Sequence, residues 1–537
     1  MPGLNTGRMA GKLLTRLALL AALLSIATFE AACGSAGDST GTGSGSGGTI
    51  NVALNSGIAT LDPAYGCFPQ YDYWIIKNTY DTLVQYGSER DQNGQAEIKP
   101  SLAKNWKISD DGKTYTFNLR DDVKFASGNP MTAADVVYGF ERLMDKGGCA
   151  DYVLRLGDPK AVESVTATGK HQVTFRINRP SPIFLGQLTQ TGLSPIDRKQ
   201  LQANGGLTQK GDNWMASHTI GTGAYEVTSY QPDSQIVLKA RDDYWQGKPE
   251  NPGVNVRIVS DPTTLNTLVQ SNEVDLAYGI HPKDVDRLAE GRQSLSQPGP
   301  WYIYLGLNTK KAPFDDIKLR QAARLALDRP AMADELAQGH ATLVEGPMPP
   351  TMPFRPDIPL VEQNVDEARK MVSEAGAEGT RVTIDVKAGD QLESQVAEVI
   401  QSSLNEVGFD VTVAKLGTSA FYGKGGGFKS QAYLSRDGTP FNDPAYYLGF
   451  QVKCGNAFNW TQYCDKRVDH LLEVGRNSQD PEVRRKAYGE ISEIATRDAA
   501  LIPIFGVTPN VIGAKSLHGF VAYDDLEPVF WPMSVSG

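Results

Sequence analysis

Histidine is scarce in this chain, with six in 537 residues: His171, His218, His281, His340, His470 and His518. None stands at His-x-x-x-His or His-Glu-x-x-His spacing, so the sequence builds no catalytic zinc site. Five cysteines are present and no two form Cys-x-x-Cys, which argues against a zinc ribbon or a dithiol redox motif. Positive charge is in deficit: 52 Lys and Arg stand against 62 Asp and Glu, a formal net charge of −10. Nucleic acid and anionic lipid both need a basic face, so the balance argues against either as a partner. Beyond residue 30 no stretch holds the roughly 18 consecutive apolar residues of a membrane helix. A phosphate-binding loop, a dinucleotide fingerprint after a strand and an internal repeat are all missing. Gly37-Asp38-Ser39-Thr40-Gly41 matches Gly-x-Ser-x-Gly in form only, because its flanks are low-complexity and supply neither the strand nor the helix of a nucleophile elbow. No carboxylate pair stands out as an acid/base couple. The expectation is a protein that is not an enzyme, with no catalytic residues, no metal and no cofactor.

What is present begins at the amino terminus. Arg8, Lys12 and Arg16 lead into an apolar run at 17–29 (LALLAALLSIATF), followed by Ala31-Ala32-Cys33-Gly34-Ser35 and a Gly/Ser/Thr tract up to Gly48. Basic start, apolar stretch and small residues before a cleavage point describe an export signal. A cysteine directly after the small residues resembles a bacterial lipoprotein signal: 1–32 would be removed and Cys33 lipidated. Glu30 stands where that pattern has an aliphatic residue, so an ordinary secretory signal is the alternative. The expected location is the outer face of the cytoplasmic membrane, lipid-anchored, with 33–48 as a flexible linker.

A 40% hydrophobic and 21% charged composition is ordinary for a globular chain. With Cys33 lipidated, four cysteines remain in an oxidising compartment. Three pairings exist. The short local loop Cys454–Cys464 is favoured, which leaves Cys67 with Cys149.

Order begins near Thr49 with a strand at 49–54. Residues 106–119 read as a hairpin around Asp110-Asp111-Gly112, and 132–144 as a helix capped by Thr132 with Asp135 three residues on. Residues 381–386, 391–407 and 409–413 read as strand, helix and strand, a βαβ unit with a parallel pair. Further helices are expected at 316–327, 365–375 and 481–496. The class is mixed α/β.

Several segments together resemble one family, the extracytoplasmic solute-binding proteins of peptide-type ABC importers (family 5). They are Thr60-Leu61-Asp62-Pro63, the block 98–142, Gly221-Thr222-Gly223-Ala224-Tyr225, Tyr244-Trp245-Gln246-Gly247, and the run from Leu307-Asn308 to Ala326-Leu327-Asp328-Arg329. The resemblance implies a two-lobed periplasmic-binding-protein-like α/β fold with an extra subdomain inserted in lobe one. Lobe one would comprise 49–79, 221–300 and 503–537, the inserted subdomain 80–220 and lobe two 301–502. Crossings near 301–308 and 503–508 would form the hinge. A monomer would capture a small solute, an oligopeptide first of all, and hand it to ABC permease subunits. A non-peptide solute, or a solute-sensing lipoprotein without transport, is the alternative.

A solute buried between lobes needs its polar groups paired and its apolar groups walled by aromatics. Peptide binders of the family carry a stretch resembling Trp-x-Ala-Asp-Tyr-x-Asp/Glu-Pro, whose first Asp pairs with the peptide amino terminus. Here 433–444 (YLSRDGTPFNDP) ends on the pattern with Phe441-Asn442-Asp443-Pro444, but Pro440 falls on the Asp position and Asp437 on the Trp position. Either Asp437, alone or with Arg436, pairs the charge from a shifted loop, or the solute is not an ordinary peptide; a solvated turn at Arg436–Asp437 is a third reading. Asn459 and Trp460, between Cys454 and Cys464, are candidates on a stapled loop, and Tyr65 and Phe68 are candidates for an apolar wall from lobe one. Trp301, Tyr302 and Tyr304 either line the cleft or, as alternating strand residues, belong to the core, the reading favoured here.

Overall fold

The computed structural model describes residues 47–65, 72–439, 441–521 and 528–536. The signal, Cys33, most of the linker, Cys67, Phe68 and Pro440 lie outside the described residues. Everything described belongs to one compact unit, Ser46–Gly537.

Two large sheets organise it. The first has seven strands in the order Gln293–Ser294, Val511–Gly513, Leu276–Tyr278, Ile50–Leu54, Gly253–Ile258, Gln235–Ala240, Tyr225–Gln231. Ile50–Leu54 (INVAL) pairs in parallel on both sides, and Val52, Ala53 and Leu54 are fully buried. An apolar run suits a parallel strand covered on both faces. The second sheet has six strands in the order Ala341–Thr342, Leu501–Val507, Trp301–Leu307, Ala432–Gly438, Arg381–Lys387, Asp410–Leu416. Its edge is the expected βαβ unit: Arg381–Lys387 runs parallel to Asp410–Leu416, joined by helix Gln391–Glu406. The Asp390 carboxylate caps that helix by accepting the Glu393 N–H at 2.9 Å.

A four-stranded sheet lies between the first two strands of the larger sheet in sequence: Ala103–Ile108, Thr114–Leu119, Gln172–Ile177, Val162–Gly169. Its hairpin turns at Gly112, whose φ of 65° is the left-handed conformation that glycine adopts without strain. Helix Ala133–Lys146 covers the sheet, with the Thr132 N–H donating to the Asp135 carboxylate at 2.9 Å.

The passages between the large sheets differ from expectation. Strand Trp301–Leu307 lies wholly in the six-stranded sheet, and so does Leu501–Val507. The chain therefore crosses at 295–300 and at 508–510, and residue 503 falls inside a strand. Pro503 sits at a register shift, where Ile303 faces Phe505 and Tyr304 faces Pro503. A bulge tolerates the missing N–H of proline.

The four-stranded sheet and the six-stranded sheet share one core, running from Phe117, Phe175 and Phe184 to Tyr302, Tyr446 and Ile491. Tyr152 is central to the join: its ring stands 5.1 Å from Phe458 and 5.9 Å from Tyr446, and Asn456 donates to its hydroxyl at 2.6 Å. The Cys454–Cys464 disulfide forms as expected. Cys149 is also disulfide-bonded; its expected partner, Cys67, is not described. Among the described residues no helix is long and apolar enough to cross a membrane.

Candidate functional site

Strand Ala432–Gly438 pairs antiparallel with Trp301–Leu307, setting Asp437 opposite Tyr302 and Ser435 opposite Tyr304. The period of two puts Tyr302 and Tyr304 on one face, with ring centroids 5.3 Å apart. Helix Pro444–Val452 closes over that face. Asp443 caps it by accepting the Ala445 N–H at 2.8 Å, and Pro444 occupies its first turn. The second Asp443 oxygen takes the Arg484 guanidinium at 2.6 Å, with both side chains buried. The Asp443-Pro444 end of the motif is therefore helix-capping scaffold. One helical turn brings Tyr447 and Gln451 to the same side, over Tyr302 and Tyr304.

These elements converge on Asp437. Its Oδ2 accepts from the Tyr304 hydroxyl at 3.1 Å and from the Gln451 amide at 3.1 Å. Among the described residues no group bonds Oδ1. Burial pushes the Asp437 pKa up to about 7; the bonds from Tyr304 and Gln451 and the charge of Lys387 pull against that shift, and Glu393 adds to it. Asp437 nevertheless keeps part of its surface accessible.

An aromatic wall leads away from Asp437. Tyr304 meets Tyr433 at 6.0 Å, Tyr433 meets Trp460 at 5.4 Å, and Trp460 meets Phe421 and Tyr422 at 5.8 Å each, all edge-on. Among the described residues the buried Trp460 indole nitrogen has no acceptor. Glu393 is 1% exposed, burial raises its pKa, and its Oε1 has no hydrogen bond. Lys387 is the nearest cation acting on Asp437, and Glu393 on the far side of the strand opposes its ionisation. The arrangement can hold one cationic group beside aromatic surface. Among the described residues no three His, Cys, Asp or Glu side chains stand together as metal ligands.

The expected residues separate. Asp437 and Trp460 share this wall. Arg436 sits on the opposite strand face, paired with Asp390 at 2.9 Å and Glu393 at 3.7 Å, so it is neither a solvated turn nor Asp437's partner. Phe441 is buried against Tyr446 at 5.2 Å as core. Asn459 is committed to its own loop: both amide hydrogens go to the Lys453 and Tyr463 carbonyls, and its oxygen takes the Thr461 hydroxyl. The stapled loop thus presents Trp460, and Asn459 holds the loop. Tyr65 is 43% exposed beside Gly148, near the Asp62–Arg142–Asp212 ion-pair cluster. Tyr447, Gln451 and Glu393 are contributors that the sequence reading missed; Tyr304, read as cleft lining or core, bonds Asp437.

The family model "Bacterial extracellular solute-binding proteins, family 5 Middle" matches residues 97–459. The "Probable D,D-dipeptide-binding periplasmic protein DdpA" of Escherichia coli (strain K12) is 29% identical over 479 residues, spanning 88% of this chain and 91% of that protein. "Heme-binding protein A" of Haemophilus influenzae is 26% identical over 496 residues, spanning 86% of this chain and 87% of that protein. The periplasmic binding protein DppA from Helicobacter pylori, solved with the peptide STSA, superposes with a TM-score of 0.81 at 25% identity, over 91% of this chain and 99% of that one. With its mixed α/β, two-lobed fold, the chain belongs to the bacterial extracellular solute-binding proteins of family 5.

Proposed function

We propose that this chain is the substrate-binding component of an ABC importer and that it captures a peptide by its amino-terminal ammonium group, with Asp437 as the anchor. One observation carries the reading: a partly accessible carboxylate fixed on one oxygen by Tyr304 and Gln451 and, among the described residues, without a partner on the other. A buried charge must be paired, and an ammonium group supplies the pair. Relatives named for dipeptides and a neighbour solved with a peptide support the solute class. Tyr304 and Gln451 hold the carboxylate in place before solute arrives, which lowers the ordering cost of binding.

The seven-stranded sheet would form lobe one, the six-stranded sheet lobe two, and the four-stranded sheet the inserted subdomain. The shared core and the Tyr152–Asn456 bond would then belong to the closed state, and solute shifts the equilibrium by binding that state preferentially. Cys33 would carry the lipid anchor, and a monomer would deliver to permease subunits in the membrane. The expected test outcome is that the mature protein binds a short peptide by calorimetry, that acetylating the peptide's amino terminus abolishes the heat, and that Asp437→Asn does the same. Equal binding of the acetylated peptide would refute the anchor.

A further inference from the structure

Helix Thr418–Gly426 (TSAFYGKGG) contains three glycines. Glycine is a poor helix former, so contacts rather than propensity hold this helix. Phe421 is buried in the core, and Gly425 lies flat against the Trp460 indole, where a Cβ would stand 2.4 Å from a ring carbon. Those two contacts fix the register that leaves Tyr422 42% exposed.

Tyr422 is covered on one side only. Its ring meets Phe421 at 5.5 Å and Trp460 at 5.8 Å, both edge-on. Its phenol is pushed up to about 12, by the protein crowding it first and then by Asp437 and Glu393. Through Trp460 the ring continues the wall to Tyr433, which shares a strand face with Asp437 four residues on. Arg436 is paired with Asp390 and Glu393 on the opposite strand face, and Lys424 of the same helix with Asp385 at 2.6 Å, so Asp437 is the charged group on the Tyr433 face. The surface between Tyr422 and Asp437 is aromatic, through Trp460 and Tyr433.

We propose that Tyr422 is a specificity-determining residue: with Trp460 it forms the wall against which the side chain of the solute's first residue packs, selecting peptides that begin with an aromatic or large apolar residue. The inference rests on the reading of Asp437 as the ammonium anchor. The first side chain branches from the carbon that carries the ammonium, so anchoring the ammonium delivers that side chain to the neighbouring wall. An apolar side chain there takes its own surface and the exposed face of Tyr422 out of water together. An acidic first side chain is repelled by Asp437 and Glu393.

The test is calorimetry of the mature full-length protein with Phe-Gly-Gly and Gly-Gly-Gly, as the unsubstituted protein, Tyr422→Ala, Tyr422→Phe and Asp437→Asn. Phe-Gly-Gly is expected to bind at least about tenfold more tightly than Gly-Gly-Gly, a preference of the size aromatic pairing gives. Tyr422→Ala is expected to erase that preference and leave Gly-Gly-Gly within about twofold, and Tyr422→Phe to retain it. Equal losses for both peptides in Tyr422→Ala would mark a structural role and overturn the proposal, as would an unchanged preference. If both peptides bind and Asp437→Asn weakens both while Tyr422→Ala changes neither, the anchor stands and the wall falls. If neither peptide binds the unsubstituted protein, both readings fall.

Discussion

Acidifying from pH 7 to pH 5 should weaken peptide binding about fiftyfold, and Asp437 is the reason. Burial raises its pKa to about 7 in the empty protein. About half of the carboxyl groups are then ionised at pH 7, and about one in a hundred at pH 5. An ammonium group binds the ionised form, so binding expels the proton wherever it is still held, and affinity climbs with pH until the carboxyl is fully ionised. A fiftyfold change is about 2.3 kcal/mol. The peptide's own amine is still about 85–90% protonated at pH 7 and its carboxyl stays ionised, so both contribute little to the slope. Calorimetry at pH 5, 6 and 7 measures the slope directly. Repeating the pH 7 titration in buffers of different ionisation heat counts the released protons, with about one half expected per peptide. Asp437→Asn should bind weakly and without pH dependence. An affinity that is flat from pH 5 to 7, or a slope that survives in Asp437→Asn, would refute the reasoning.

The same pKa shift predicts a stability effect of opposite use. Between the ordinary carboxylate range and pH 7 the folded protein keeps a proton that the unfolded chain releases, so this group lowers the stability of the empty protein as pH rises through that window. Asp437→Asn should therefore melt higher than the unsubstituted empty protein at pH 8, by about 1 kcal/mol once partial exposure is discounted; an unchanged or lower melting point contradicts this. Arg484→Met leaves the Asp443 carboxylate buried without its partner and should cost about 3–5 kcal/mol in urea unfolding, whereas an effect near zero would mean the pair is solvated. Reducing Cys454–Cys464, which closes a loop with a sequence separation of 10, should cost about 2–3 kcal/mol and loosen Trp460, read as a change in indole fluorescence. Gly425→Ala drives a Cβ into the Trp460 ring and should destabilise the protein by about 1–3 kcal/mol.

Much of the fold was legible because it is local. Thr132 and Asp135 mark a helix start within four residues, and Asp110-Asp111-Gly112 marks a hairpin within three; both form as read. The parallel pair Arg381–Lys387 and Asp410–Leu416 follows from a period of two, then of 3.6, then of two again. The site was less legible because it is not local. Tyr304 and Asp437 lie 133 positions apart, and Tyr304 and Gln451 147 apart. No spacing rule joins residues that meet only when two strands pair and a helix closes over them. Tyr304 alternates like any strand residue and so reads as core; only its hydroxyl, engaged with Asp437, gives it a role at the site. Asn459 shows the converse. Its place in a stapled, aromatic loop suggested solute contact, but the side chain is 2% exposed and both its N–H groups and its oxygen are engaged within its own loop.

Lobe capture of an amine-bearing solute is the central claim, and the solute itself tests it most directly. The measurement is mass spectrometry of the small molecules released when the protein, purified from its own host, is denatured. Short peptides with free amino termini, enriched in aromatic or large apolar first residues, are the predicted result. A single compound without an amine would contradict the account, with Pro440 in the family's aspartate position as the sequence difference behind it.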